Sequence, residues 1–160
     1  MSKIIVLASF YPKKDKNSEV KKIISSHTTK PFKLIILDCD NTLWGGTIGE
    51  DGIASVKYSE DGDGKVFEDI QRHLKYLKKQ GFLISLSSKN NEKDVWKTFQ
   101  NRKMELTKKD FLFPKINWFE KYINIKRTLT ELSLKEDDVL FIDDSKLEID
   151  KVKKKIPKIP

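Results

Sequence analysis

The sequence predicts an α/β domain with a central parallel sheet. Short apolar runs bounded by turn residues alternate along the chain with amphipathic stretches, and this alternation is typical of strands joined by helical crossovers. The chain has 160 residues and a hydrophobic fraction of 38%, which suits one domain with one core. We therefore expect a single domain over residues 1–160.

Three strands are predicted from the apolar runs. They are "KLIIL" leading to Asp38, "FLISLS" leading to Ser88 and "DVLFI" leading to Asp143. Each has the length of a buried strand, and each is followed by a polar residue. A further run near the N-terminus, "KIIVLASF", is interpreted either as an extra sheet element or as part of a larger region.

Four helices are predicted between and after these strands. Apolar residues at three- and four-residue spacing indicate a helix over residues 67–77. Two more are expected at about residues 92–100 and 120–132. A fourth begins at Ser145, because Ser145 and Glu148 have the spacing of a capping box.

The segment "TIGEDGIASV", residues 47–56, is predicted to form a small β-hairpin that turns at Glu50, Asp51 and Gly52. Such a hairpin would lie over the end of the sheet as a flap. The spacing between the other predicted elements accommodates helices but no separate cap domain. We therefore expect an open site that admits bulky substrates or relies on another subunit to exclude water.

The charge of the chain favours phosphorylated ligands in general over nucleic acid. The net charge is +8 at pH 7, and a positive field attracts phosphates. Only three of the 32 basic residues are arginine, whereas bidentate recognition of bases and phosphates favours arginine. Nucleic-acid binding is therefore the minor interpretation.

The composition predicts a protein of the cytoplasm. Charged residues make up 35% of the chain, the mean hydropathy is -0.55, and the N-terminal apolar run is too short for a membrane span. Cys39 is the only cysteine. This excludes an internal disulfide and a zinc site made of cysteines.

Polar side chains follow all three predicted strands. They are Asp38 with Asp40, Ser88, and Asp143 with Asp144. Such strand ends meet at one edge of a parallel sheet, where ligands bind. Crowded carboxylates suppress one another's ionisation unless a cation neutralises them, and an all-oxygen site suits Mg²⁺ better than zinc. Because an ionised Asp38 can then attack phosphorus, the pattern predicts Mg²⁺-dependent phosphoryl transfer.

Local roles are the alternatives for some of these residues. Asp143 and Asp144 precede a predicted helix, whose N-terminus acidic side chains stabilise. Ser88 can equally cap the helix that begins near residue 91.

Four segments in this order, "DCDNTLWGG", "SSKNN", "NWFEK" and "FIDDS", resemble the four motifs of the haloacid dehalogenase-like (HAD) hydrolases. The match is to their FkbH-like branch, the subfamily IIIC phosphatases. It covers about residues 33–154 and leaves residues 1–30 as an N-terminal extension. The resemblance implies a three-layer α/β/α, Rossmann-like fold and a phosphatase that hydrolyses a phosphate ester or an acyl phosphate.

The resemblance also implies the catalytic roles. Asp38 would attack phosphorus and form an aspartyl-phosphate, while Asp40 would protonate the leaving oxygen and then activate water. Lys121 would offset the negative charge on the nucleophile and the phosphate. Asp38, Asp143 and Asp144 would bind Mg²⁺, together with the backbone carbonyl of Asp40.

Four further residues are implied to contact the substrate or its phosphate. Ser88 would hydrogen-bond the phosphoryl oxygens, and Thr42 would also brace the loop that follows the first strand. Lys89 and Asn90 complete this set.

The FkbH-like branch is associated with dephosphorylating a glyceryl phosphate and loading glyceryl groups onto acyl carrier proteins in polyketide or polysaccharide assembly. Such proteins commonly carry a large domain before the first motif, whereas about 30 residues precede it here. We therefore expect hydrolysis, in order of preference, of a sugar phosphate, a phosphoglycerate, a phosphoprotein or a nucleic-acid end. One alternative is a non-catalytic module that binds phosphate or nucleic acid through its basic surface, which the intact acidic motifs argue against. The other alternative is glyceryl transfer with a carrier protein. Its one candidate thiol, Cys39, is expected to be buried in packing, as are Trp44 and Trp118.

Overall fold

The computed structural model describes residues 33–59 and 62–159, together with the backbone of residues 5 and 6. At its centre is a five-stranded sheet in which neighbouring strands are parallel. The strands are β1 (Ile5–Val6), β2 (Leu34–Leu37), β3 (Leu83–Ser88), β4 (Lys115–Ile116) and β5 (Val139–Asp143). Their order is β1-β5-β2-β3-β4, which confirms the predicted α/β fold with a central parallel sheet.

The three predicted strands are β2, β3 and β5. The N-terminal apolar run contributes β1, which lies beside β5 as an extra sheet element. The sequence does not predict β4, because a strand of two residues is too short for a periodic signal. The rest of the N-terminal extension lies outside the described residues, and the single-domain boundary stays a prediction.

The described residues form five α-helices around the sheet. They are α1 (Ile48–Asp51), α2 (Lys65–Lys79), α3 (Glu92–Asn101), α4 (Lys121–Leu132) and α5 (Lys146–Lys155). The four predicted helices correspond to α2 through α5. At the start of α5, the Ser145 side chain accepts the backbone N–H of Glu148, so the predicted serine cap is present.

Residues of β2 alternate between two cores, one on each face of the sheet. Ile35 and Leu37 pack in a core that includes Leu74 of α2 and Phe99 of α3. Leu34 and Ile36 point the other way, into a second core that α4 and α5 line. Because successive side chains of a strand point to opposite faces, this alternation sandwiches the sheet between two helical layers and confirms the α/β/α arrangement.

The predicted β-hairpin over residues 47–56 is wrong. The segment forms α1 and a following 3₁₀ turn. The Asp51 carboxylate accepts the backbone N–H of Thr47 at 2.9 Å, and such local side-chain contacts compete with strand pairing. Two backbone hydrogen bonds between Gly45 and Lys57 close the base of the segment, so a flap remains but a helical one.

The connections of the described residues, 33–59 and 62–159, contain helices, turns and loops and no separate cap domain. In this same part of the chain, no helix combines the length and the hydrophobicity that crossing a membrane requires.

Candidate active site

Three carboxylates meet beyond the carboxyl ends of β2 and β5. Asp38 follows β2, Asp143 ends β5, and Asp144 is next in the chain. One oxygen of each lies within 4.8 Å of those of the other two. The register brings them together, because Leu37 pairs with Ile142 and the following residues therefore fall side by side. This group of three is the cluster that can hold a metal ion.

Lys121 joins two of these carboxylates. Its Nζ lies 3.0 Å from Asp38 Oδ1 and 2.7 Å from Asp143 Oδ2. Lys121 is the first residue of α4 and is only 4% exposed. A buried lysine needs charged partners to offset the loss of its hydration, and these two carboxylates are its partners. The structure therefore places Lys121 beside the predicted nucleophile.

One lysine does not balance three carboxylates. Burial, followed by the charge of Asp38, raises the pKa of Asp143 to about 7, although Lys121 and the backbone N–H of Ser145 lower it. Burial also raises the pKa of Asp144. For Lys121, burial lowers the pKa, but the attraction of Asp38 and Asp143 outweighs burial and raises it above its usual value. The site therefore carries excess negative charge of the kind that a divalent cation neutralises.

Asp40 stands outside the group of three and is held by hydrogen bonds. Its Oδ1 accepts the indole N–H of Trp44 at 2.9 Å and the backbone N–H of Ile48 at 3.2 Å. Its Oδ2 accepts Nδ2 of Asn90 at 2.8 Å. Burial raises the pKa of Asp40, and the three hydrogen bonds lower it by less. That the backbone carbonyl of Asp40 binds the metal ion stays a prediction.

A tight turn after β2 sets the direction of Asp40. Asn41 has a φ of 51°, a left-handed conformation that asparagine tolerates better than most residues. The backbone N–H groups of Thr42 and Leu43 both donate to the carbonyl of Cys39. Thr42 therefore braces the loop through its backbone. Its buried hydroxyl has no hydrogen-bond partner among the described residues, and its contact with phosphate stays a prediction.

The residues of the "SSKNN" segment have two kinds of partner: Ser88 contacts Asn90, whereas Lys89 contacts glutamates. Ser88 ends β3, and its hydroxyl accepts Nδ2 of Asn90 at 3.3 Å. The N-cap residue of α3 is Asn91, so the alternative that Ser88 caps this helix is wrong. The Nζ of Lys89 forms ion pairs with two glutamates. The substrate contacts predicted for Ser88, Lys89 and Asn90 stay predictions.

A four-membered ion-pair network borders the site. Lys89 and Lys151 each pair with both Glu120 and Glu148, at distances of 3.1–3.3 Å. The network ties the end of β3 to α4 and α5, beside Lys121. The sequence did not predict this network. Only one of its ion pairs, Glu148 with Lys151, has the i,i+3 spacing that a helix pattern can indicate, and the other pairs join residues distant in the chain.

The two tryptophans that were expected to pack behave differently. Trp44 is fully buried and packs edge-on against Phe99, as predicted. Trp118 is 68% exposed, so its predicted packing role is wrong. Cys39 is fully buried, as expected, and burial raises the pKa of its thiol well above the usual value.

No protein-family model and no curated protein matches this sequence. Among solved structures, the chain is similar to the N-terminal part of the protein BF1531 from Bacteroides fragilis, described as containing a phosphatase domain complexed with Mg. The two share 35% sequence identity with a TM-score of 0.77. The match covers 88% of this chain and 38% of the other chain, so this chain spans well under half the length of that protein's chain. The similarity supports a HAD-like phosphatase fold.

Proposed function

We propose that this protein is a Mg²⁺-dependent phosphatase that hydrolyses a phosphate ester or an acyl phosphate through an aspartyl-phosphate on Asp38. The observation that carries the proposal is the meeting of Asp38, Asp143 and Asp144 around Lys121. The similarity to a phosphatase domain that was crystallised with Mg supports it.

The carboxylate cluster fits Mg²⁺. All its donors are oxygens, two of the three carboxylates are buried, and hard cations prefer such donors. Asp38, Asp143 and Asp144 would hold the ion, with the backbone carbonyl of Asp40 as a further ligand. When bound, Mg²⁺ would offset the excess negative charge and polarise a phosphoryl oxygen.

In the first half of the proposed reaction, an oxygen of Asp38 attacks phosphorus and the bond from phosphorus to the leaving oxygen breaks. Asp40 gives its proton to that oxygen. Its Oδ1 already accepts two N–H groups, whereas Oδ2 accepts one, so Oδ2 is the oxygen with room for the transferred proton. The raised pKa of Asp40 suits a group that must be protonated at this stage.

In the second half, water attacks the phosphorus of the aspartyl-phosphate, and Asp40 takes the proton of that water. The bond between Asp38 and phosphorus then breaks and phosphate leaves. Lys121 stays charged throughout because its pKa is raised. It therefore stabilises negative charge on Asp38 and on the phosphoryl group in both halves.

The remaining predicted contacts fit this scheme in different degrees. At the end of β3, Asn90 donates to Asp40 and to the Ser88 hydroxyl, so both side chains would lie near the reacting phosphoryl group. Lys89 would have to release a glutamate to do the same. Thr42 is fully buried, so its proposed contact with the phosphate has the least support of the four.

The alternative of FkbH-like glyceryl transfer through a thioester is less well supported. The only thiol of the chain, Cys39, is fully buried, and burial disfavours its reactive thiolate. Hydrolysis needs no residue beyond those already brought together at the site. We therefore propose a phosphorylated small molecule as substrate, and a larger phosphorylated partner such as a carrier protein as the second possibility.

The test is phosphate release by the purified chain from a panel of sugar phosphates, phosphoglycerates, acyl phosphates, phosphopeptides and nucleotides with Mg²⁺. We expect release from at least one class, its loss in EDTA, and its loss in Asp38→Asn. Rapid quenching should also reveal a mass gain of one phosphoryl group in the wild type but not in this variant. Asp138→Asn is the matched control, because Asp138 is a buried aspartate at the opposite end of β5. Release that survives Asp38→Asn, or no release from any compound, would contradict the proposal.

A further inference from the structure

Trp118 is an exposed aromatic residue on a loop whose backbone is held by hydrogen bonds. The backbone N–H of Asn117 donates to the carbonyl of Ser88 at 3.0 Å. The Asn117 side chain accepts the backbone N–H of Phe119 at 3.0 Å and Nδ2 of Asn124 at 2.9 Å. These bonds tie Asn117 to β3 and α4, and they tie Phe119 to Asn117. An exposed tryptophan on an ordered loop is more typical of a binding contact than of packing.

The position of Trp118 relates it to the proposed acid of the reaction. Its indole N–H donates to Asn91 Oδ1 at 3.3 Å, and the preceding residue, Asn90, donates to Asp40 at 2.8 Å. Trp118 therefore lies two hydrogen bonds and one peptide link from Asp40. If Asp40 protonates the leaving oxygen, the leaving group departs on this side of the site. With the N–H already used, the faces of the indole remain for contact.

We propose that Trp118 binds the leaving group of the substrate, and that this group presents a flat apolar face, either an aromatic ring or the C–H face of a sugar ring. The inference rests on the proposed function, because Asp40 defines the leaving-group side. Trp118 would then determine substrate specificity by stacking, without taking part in the chemistry. The described connections form no cap domain, and the Trp118 side chain is 68% exposed, so a substrate would meet no covering domain there.

Binding of non-hydrolysable phosphonates tests the inference without any turnover. In the presence of Mg²⁺, the wild-type chain would be titrated calorimetrically with three ligands. They are methylphosphonate, naphthylmethylphosphonate and the phosphonate analogue of a hexose phosphate. We expect one ring-bearing ligand to bind about tenfold more tightly than methylphosphonate, which is the usual size of a stacking contribution. The aromatic and sugar arms distinguish the two sources of a flat face.

Variants separate Trp118 from general effects. Trp118→Ala and Trp118→Gln should abolish the tenfold preference, and Trp118→Phe should retain most of it because it keeps a ring. Tyr76→Ala is the matched control, because Tyr76 is also an exposed aromatic residue, at 56%. Tyr76 lies near the C-terminal end of α2, which precedes the start of β3, whereas Trp118 lies near the end of β3. Circular dichroism would check the fold of each variant.

The inference is overturned if the wild type binds none of the phosphonates, binds all three equally, or keeps its preference in Trp118→Ala. Phosphate release from acetyl phosphate measures the proposed function separately, because its leaving group has no ring. Loss of ring preference alone and loss of hydrolysis alone are therefore distinguishable results.

Discussion

Replacing Lys121 by methionine removes a buried positive charge that lies between two buried carboxylates. Lys121 Nζ is 3.0 Å from Asp38 and 2.7 Å from Asp143. At these distances each attraction amounts to about 6 kcal/mol before desolvation is subtracted, if the effective dielectric constant is about 20. Breaking a buried ion pair by removing one partner typically costs about 3–5 kcal/mol. We expect Lys121→Met to lower the free energy of unfolding by that amount.

The loss should depend on pH. A carboxyl group whose pKa is higher in the folded than in the unfolded chain weakens the fold as pH rises from the unfolded to the folded value. In the wild type this window ends for Asp143 at about pH 7. Because Lys121 lowers the pKa of Asp143, its removal raises the upper limit. Lys121→Met should therefore continue to lose stability above pH 7, and the difference from the wild type should be larger at pH 8.5 than at pH 5.5.

Urea unfolding in EDTA, followed by circular dichroism, measures the effect without a metal ion that could replace the lysine. Adding Asp143→Asn to Lys121→Met should restore part of the lost stability, because it removes one of the two unpaired carboxylates. The control is Lys151→Met, which also removes a lysine paired with two carboxylates but from a partly exposed position. Exposed ion pairs contribute little to stability, because water and salt screen them. A loss below about 1 kcal/mol for Lys121→Met, or an equal loss in the control, would refute the reasoning.

Three further predictions concern the metal, Asp40 and the buried thiol. Mg²⁺ should raise the melting temperature, because binding adds about 2.7 kcal/mol to the free energy of unfolding at a concentration of a hundred times its Kd. Asp144→Asn should reduce this rise. If the rise is unchanged in Asp144→Asn, Asp144 is not a ligand of the ion. Asn90→Ala should lower kcat about tenfold or more for phenyl phosphate and by less for p-nitrophenyl phosphate, because a good leaving group depends less on the proton that Asp40 donates. Equal losses for the two substrates would argue against the role of Asn90 in holding Asp40. Cys39→Ala should leave turnover unchanged, and the native thiol should resist a thiol reagent until the chain unfolds; a clear fall in turnover would reopen the thioester route.

Several features were predictable from the sequence because near neighbours encode them. The apolar runs of β2, β3 and β5 and the periodicity of α2 predict these elements locally. Since parallel strands end at a shared edge, Asp38 and Asp143 could also be expected to meet. The helical flap shows the limit of such reasoning, because its glycines and acidic residues suit a hairpin turn as well as a short helix.

The sequence by itself determined the parallel sheet and the gathering of acidic residues at one edge. Only the tertiary structure decided that Lys121 lies between Asp38 and Asp143, that Asn90 holds Asp40, and that Trp118 is exposed. Asn90 and Asp40 are 50 residues apart in the chain, and no local pattern relates them. Such contacts depend on side-chain positions that only the packing of whole elements fixes, because hydrophobic burial sets the fold while hydrogen bonds and ion pairs require particular atoms to meet.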